Sequence, residues 1–273
     1  MKLIEKLNLF CRLPISQCYN CILKAPNVIS DYETIRMIRE QRKSIARYGD
    51  GEIELMLGYS ISFQNKSPQL AQRLKEVAES KNENLLICIP DVFETKNKMF
   101  EKYKKQDVIW WKKSNCFLEG YWKKFFRNQE YGNAFISRFY MSYKERNDVE
   151  EYVKALKSLW ENRDVVFVEG EETNLGEGND LFENAKSIGK IICPAQNAFE
   201  TYDKIYKETV EKTTESSLII ISLGPTATVL ASDLSESNRQ ALDLGHFDIE
   251  YMWYKMGATE KVKIDGKAVN EAK

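Results

Sequence analysis

The amino-acid sequence predicts an α/β protein: a Rossmann-like, mostly parallel, doubly wound sheet with a helical, aromatic-rich insertion. Three observations carry that prediction. From residue 164 onward, short apolar runs alternate strictly with helix-length segments, the pattern of parallel strands joined by right-handed crossovers. The runs are continuously apolar rather than alternating, as expected of strands covered by helices on both faces. Polar residues gather just after those runs, at the carboxyl edge where such sheets bind their ligands.

Each element follows from the chain in order. Residues 1–30 read as an N-terminal extension in which Pro14 and Pro26 interrupt any long helix, and residues 31–273 as a single domain. A helix over 32–41 leads into a strand ending at Gly49, and the apolar spacing of Ile53, Leu55, Met56 and Leu57 starts another helix. A helix over 70–80 precedes a buried strand over 85–89, stopped by Pro90. Residues 97–143 form the insertion, rich in Trp, Phe and Tyr. Its aromatics serve either as core or as a platform for sugar rings. The second half gives strands over 164–168, 190–193, 217–223 and 240–244. They alternate with helices over 179–188, 198–211, 226–234 and 249–256.

Composition narrows the function. At 43% hydrophobic and 30% charged residues, the chain has the makings of a substantial core. Forty Lys and Arg against 41 Asp and Glu leave no basic field for nucleic acid. No window approaches the ~20 apolar residues of a bilayer span. Residues 1–10 lack a small-residue cleavage site, so the expected compartment is the cytoplasm. Cys18 and Cys21 have metal-like spacing, but no second pair or nearby histidine completes a zinc site, and the six cysteines read as reduced thiols.

The most informative motif is Asp50-Gly51-Glu52, two carboxylates at a strand-to-helix turn. Glycine between them lets both acids face one point, suited to a hard divalent cation such as Mn²⁺ or Mg²⁺. Asp50 and Glu52 are therefore the candidate metal ligands; an acidic helix start of purely structural value is the other reading. At the same edge lie Arg47, Glu171, Asn179 and Asp180. Gly224-Pro225-Thr226-Ala227-Thr228 is the best phosphate cradle, because Gly224 permits close approach and Pro225 opens a helix. The amides that follow, with the hydroxyls of Thr226 and Thr228, point at an anion. His246, the only histidine, either caps the last helix or handles phosphate, metal or a proton. Asp248 and Glu250 beside it are candidate general bases. There is no Walker A loop, no Gly-x-Gly-x-x-Gly after a strand and no Gly-x-Ser-x-Gly elbow, which argues against P-loop, nicotinamide and serine-hydrolase chemistry.

Taken together, the ordered segments from Arg47-Tyr48-Gly49-Asp50-Gly51-Glu52 resemble the GT-D-fold glycosyltransferases. They continue through Phe63-Gln64, Ile89-Pro90-Asp91-Val92-Phe93, Ser137-Arg138-Phe139-Tyr140 and Gly178-Asn179-Asp180-Leu181-Phe182. Cys193-Pro194-Ala195-Gln196-Asn197, Leu223-Gly224-Pro225-Thr226-Ala227-Thr228 and Gly245-His246-Phe247-Asp248-Ile249-Glu250 complete the match. The resemblance covers roughly residues 30 to 270. It implies a nucleotide-sugar donor, with a divalent cation held by Asp50 and Glu52. It further implies hexose transfer, glucose from UDP-glucose, onto a glycan already attached to a serine-rich repeat glycoprotein. A second glycosyltransferase module in the same polypeptide is also implied. Two other classes fit the same acidic edge: a metal-dependent nucleotide or phosphoester hydrolase, and a non-catalytic nucleotide-binding module of a glycosylation complex.

Overall fold

The computed structural model describes residues 11–267, except Asn115, Asn128, Arg146 and His246. Its centre is an eight-stranded sheet in the order β1-β4-β3-β2-β8-β7-β5-β6, with every adjacent pair parallel. The strands are β1 (Asn27–Val28), β2 (Ser44–Arg47), β3 (Leu85–Ile89), β4 (Glu130–Asn133), β5 (Asp164–Gly170), β6 (Ser187–Cys193), β7 (Leu218–Ser222) and β8 (Gln240–Asp243). The central strands β3, β7 and β8 are buried at every position. That burial is why β3 and β7 read as apolar runs rather than alternations, while β8 buries Gln240 and Asp243 at its two ends.

Helices cover both faces. On one side lie α2 (Asp31–Glu40), α8 (Val149–Lys157) and α11 (Phe247–Lys255). Ile35, Ile38, Tyr152, Leu156, Phe247 and Tyr251 pack there with Trp160 and Phe182. On the other side lie α3 (Asp50–Met56), α4 (Pro68–Ala78), α7 (Cys116–Phe125), α9 (Tyr202–Lys212) and α10 (Pro225–Glu236), with a core from Leu70, Leu74 and Trp122 to Leu230 and Leu234. Helix starts follow the sequence: Ser30 and Ser67 accept from the amides of Glu33 and Leu70 at 3.1 and 3.2 Å. Each fully buried Leu or Ile in these layers contributes roughly 1.5–3 kcal/mol relative to exposure. No helix among the described residues is long and apolar enough to cross a membrane.

Residues 13–28 contribute to this body. Helix α1 (Leu13–Ile22), with Pro14 in its first turn, crosses α7 at Gly120, whose amide donates to Ser16 Oγ at 2.9 Å. A side chain at Gly120 would collide with the backbone of Ser16. Strand β1 then pairs with β4 at the sheet edge.

Two elements differ from the sequence reading. The insertion contains short helices α5 (Lys96–Lys102) and α6 (Lys105–Ile109), a π-helical turn over Trp110–Ser114, and then strand β4, which the sequence did not reveal. β4 reads Glu-Tyr-Gly-Asn because Gly132 must lie against Cys88, whose Sγ would sit 2.6 Å from an added Cβ. Most insertion aromatics are core: Tyr121, Trp122, Phe126 and Phe139 are buried, whereas Trp110 is 40% exposed.

The helix expected over 179–188 does not form. Residues 171–186 are turns, and β6 starts earlier, at Ser187. Asn174, Gly176 and Gly178 adopt left-handed φ of 51°, 73° and 74°. The Asn179 side chain accepts from the Leu181 amide at 3.0 Å, a local bond that competes with helix formation. The apolar spacing that looked helical instead plugs Leu181 and Phe182 into the core.

Candidate active site

The chain leaves β2 toward β3 on one side of the sheet, whereas β8 arrives beside β2 from the β7 side. Ligands of open α/β sheets bind in the crevice at such a reversal. Arg47 and Asp243, the last residues of β2 and β8, meet there. The Arg47 amide donates to Asp243 Oδ2 at 3.1 Å, Nε to the Asp243 carbonyl at 2.6 Å, and Nη2 to Oδ1 at 3.2 Å. Nη1 donates to Ser137 Oγ at 2.6 Å. Thr228 Oγ1 donates to the Arg47 carbonyl at 2.9 Å. Gly245, with φ 54°, lies where a side chain would strike the Arg47 guanidinium. Arg47 therefore binds the ends of β2 and β8 to the turn after β4.

Asp50 opens α3, and Glu52 follows two residues on. Glu52 Oε2 accepts from the Gly49 amide at 2.6 Å, so it completes the helix start. Burial pushes the Glu52 carboxyl up to about 7, with the negative charges of Asp243 and Asp50 adding to the shift and the Gly49 amide opposing it. Burial likewise raises Asp243, opposed by Arg47. The crevice thus concentrates three carboxylates beside one guanidinium that Asp243 already matches. Hard oxygen donors and uncompensated negative charge fit a divalent cation. Among the described residues no group of three or more His, Cys, Asp and Glu is arranged to hold a metal, so Asp50 and Glu52 would supply two ligands. His246 lies outside the described residues.

Gly224 adopts φ 52° and caps α10, with Pro225 in the first turn. The Phe63 ring occupies the space beside it, 2.5 Å from where a Cβ would stand. The Phe63 segment is tied to the 194–197 loop through the Asn197 amide, which donates to the Phe63 carbonyl at 2.9 Å. Asn197 Oδ1 accepts from the Asn65 amide at 2.7 Å. Thr226 is fully buried, and its hydroxyl has no hydrogen-bond partner among the described residues. Thr228 serves Arg47 and, at 3.3 Å, Asp243.

The other expected site residues are more dispersed. Glu171 is exposed beyond the end of β5. Asp180 turns toward α11, where Oδ1 accepts from the Tyr251 hydroxyl at 2.7 Å; that bond lowers its pKa. Asp248 is fully buried, paired with Lys267 and accepting from the Gly176 amide at 3.3 Å. Glu250 is 3% exposed and accepts from the amides of Tyr140 and Met141 at 3.1 and 2.8 Å. Burial raises its pKa, against those amides and the charge of Arg138. Asp248 and Glu250 thus face different loops. Sequence reasoning passed over Asp243, Ser137 and Phe63 as site residues. The available signal was Asp243, a charge inside the apolar run Ala241-Leu242-Asp243-Leu244, which a buried strand admits only with a partner.

Comparison with known proteins agrees with this architecture. The family model described as glycosyltransferase GT-D fold matches residues 45–272. A probable glycosyl transferase Gly of Streptococcus gordonii is 38% identical over 246 residues, covering 90% of this chain and 35% of that protein. Glycosyltransferase GlyD of Streptococcus pneumoniae serotype 4 is 36% identical over 240 residues, covering 88% of this chain and 29% of that protein. The chain therefore spans about a third of the length of these curated relatives. A solved structure described as a new glycosyltransferase (DUF1792) from Streptococcus sanguinis superposes with a TM-score of 0.84 at 38% identity, covering 90% of this chain and 91% of its own. A second, described as a conserved domain with a distinct glycosyltransferase fold, gives 0.85 at 38% identity, covering 96% of this chain and 91% of its own. With the family model spanning most of the sequence and the sheet, crevice and acidic turn in place, the chain belongs to the GT-D-fold glycosyltransferases.

Proposed function

We propose that the chain transfers glucose from UDP-glucose onto a glycan already attached to a serine-rich repeat glycoprotein, with Mn²⁺ or Mg²⁺ held by Asp50 and Glu52. The observation that carries the reading is the placement of Asp50 and Glu52 at the start of α3, directly after β2 and at the reversal of the sheet where β8 ends in Asp243. When bound, the cation supplies Lewis-acid neutralisation of the departing diphosphate. The chain's own residues do the rest. The start of α10, where Gly224 is exposed ahead of the buried Pro225, Thr226 and Thr228, would offer its leading backbone amides to phosphate oxygens. Arg47, paired with Asp243, holds β2 against β8 and so fixes the crevice floor. Glu171, exposed at the same edge, is placed to accept from sugar hydroxyls. We assign proton abstraction to Glu250 rather than Asp248. Lys267 already pairs with Asp248, whereas Glu250 is held by the amides of Tyr140 and Met141, and burial raises its pKa.

UDP-glucose and the serine-rich repeat acceptor rest on the family resemblance, as does a second transferase module in a longer polypeptide. Six free thiols, three of them exposed, support a reducing, cytoplasmic setting. Product analysis tests the reaction class. Incubation with UDP-glucose, Mn²⁺ and glycosylated acceptor is expected to yield a new glycoside, lost with EDTA and regained with Mn²⁺. Free glucose alone would turn the reading to hydrolysis, and UDP binding without turnover would turn it to a nucleotide-binding module.

The phosphate turn gives a separate expectation. Gly224→Val forces a β-branched side chain into left-handed backbone and against the Phe63 ring. UDP affinity by calorimetry should fall by roughly tenfold or more, the loss of at least one phosphate hydrogen bond to a charged group. Unchanged affinity in a folded variant would leave this turn a structural role only.

A further inference from the structure

An open cleft of ≈430 Å³ lies between α8 and α11, within the roughly 300–1,000 Å³ of small-ligand sites. None of the residues lining it belongs to the Arg47, Glu52 and Asp243 crevice. Tyr251 and Tyr254 stand three residues apart on α11 and both line the cleft; Tyr251 is 3% exposed, so the half-buried Tyr254 supplies the accessible ring. Lys157, facing them from α8, is steadied by the Asp180 carbonyl at 2.9 Å and by Glu183 at 3.0 Å. Lys154 and Glu161 also line the cleft; both are exposed and carry no ion pair among the described residues.

The chemistry of that wall selects a ligand class. Both signs of charge alternate along it, so it offers no net field for a phosphate or an acidic peptide. It offers donors and acceptors for hydroxyls, and the half-buried Tyr254 ring for an apolar C–H face of a sugar. The cleft also adjoins the catalytic edge. Tyr254 packs edge-on against Tyr140, centroids 5.7 Å apart, and the Tyr140 amide is held by Glu250. Tyr140 follows by three residues Ser137, which Arg47 holds.

We propose that this cleft is a saccharide subsite that holds distal rings of the acceptor glycan while its reacting hydroxyl lies at the carboxyl edge. The proposal rests on the reading that the acceptor is a glycan. Its test uses the whole chain with two neutral disaccharides, cellobiose and chitobiose, as probes. Saturation-transfer NMR is expected to show at least one of them bound at millimolar concentration, with and without UDP. Tyr254→Ala should weaken that binding at least fivefold, and the exposed Glu161→Ala about twofold, with UDP affinity unchanged in both. No saturation transfer to either disaccharide would overturn the proposal, as would transfer that survives both substitutions intact. Failure of the wild type to bind UDP would count against the nucleotide-sugar reading and leave the disaccharide result to stand on its own.

Discussion

Glu52→Gln is expected to abolish sugar transfer and, at pH 8, to raise the thermal midpoint. The two effects share one cause. In the fold the Glu52 carboxyl titrates at about 7, against 4.5 for an unperturbed glutamate. The protonated form is therefore the one the fold prefers. Stability from this preference is complete below about 4.5 and is lost as pH rises through 7. Above that, the wild type holds an unfavourable carboxylate that glutamine lacks, while the glutamine carbonyl still accepts from the Gly49 amide. After a discount for the partial exposure of Glu52, the difference is ~2 kcal/mol at pH 8, or several degrees in a domain of this size. At pH 4.5 it should vanish. Transfer, by contrast, should fall by about 10²-fold or more, the scale of losing one element of leaving-group stabilisation. Asp50→Ala should match it in rate. Melting curves across pH 4.5–8 beside single-turnover rates check both arms. A glutamine variant with wild-type turnover would remove Glu52 from the metal site, and a lower midpoint at pH 8 would contradict the charge argument.

Lys267→Met should produce the largest loss of stability. Lys267 and Asp248 form a buried pair, their side chains 3% and 0% exposed, and Lys267 also donates to the Asn174 carbonyl at 2.7 Å. Removing the cation leaves the Asp248 carboxylate uncompensated near Glu169, whose own pKa is raised by burial and, in smaller part, by Asp248. Breaking such a pair from one side costs about 3–5 kcal/mol, on the order of 10 °C here. The double variant Lys267→Met with Asp248→Asn should recover most of that loss, because no unpaired charge remains. Chemical denaturation of the four members of this cycle measures the coupling. A single variant within 1 °C of wild type would mean that water reaches Asp248 and the pair is not sealed.

The parts of this protein that were legible in its sequence are those where burial leaves one option. Strands β3 and β7 could be nothing else, because runs of four or five apolar residues between turn signals have no other home. The acidic turn at Asp50 and Glu52 was legible as the start of a helix after a strand, which is where the structure has it. Strand β4 was not legible. Gly132 is imposed by Cys88 on the neighbouring strand, a contact between residues far apart in the chain. The segment around 179–188 misled for the opposite reason: Leu181 and Phe182 obey a helical spacing, yet Asn174, Gly176 and Gly178 turn the backbone left-handed just before them. Local reading singled out Asp248 and Glu250, but their partners Lys267, Tyr140 and Met141 are set by tertiary packing.

The meeting of Arg47 with Asp243 also sets a schedule for biosynthesis. The two residues are 196 positions apart, and β2 lies between β3 and β8 in the sheet. A nascent chain that has emerged only as far as β7 presents one edge of β2 without its neighbour, and the guanidinium without its carboxylate. Parallel pairings this distant are slow to close and leave strand edges exposed meanwhile. The crevice therefore comes into being only after β8 has left the ribosome. No product of interrupted synthesis that stops before β8 carries the Arg47–Asp243 pairing that closes the crevice.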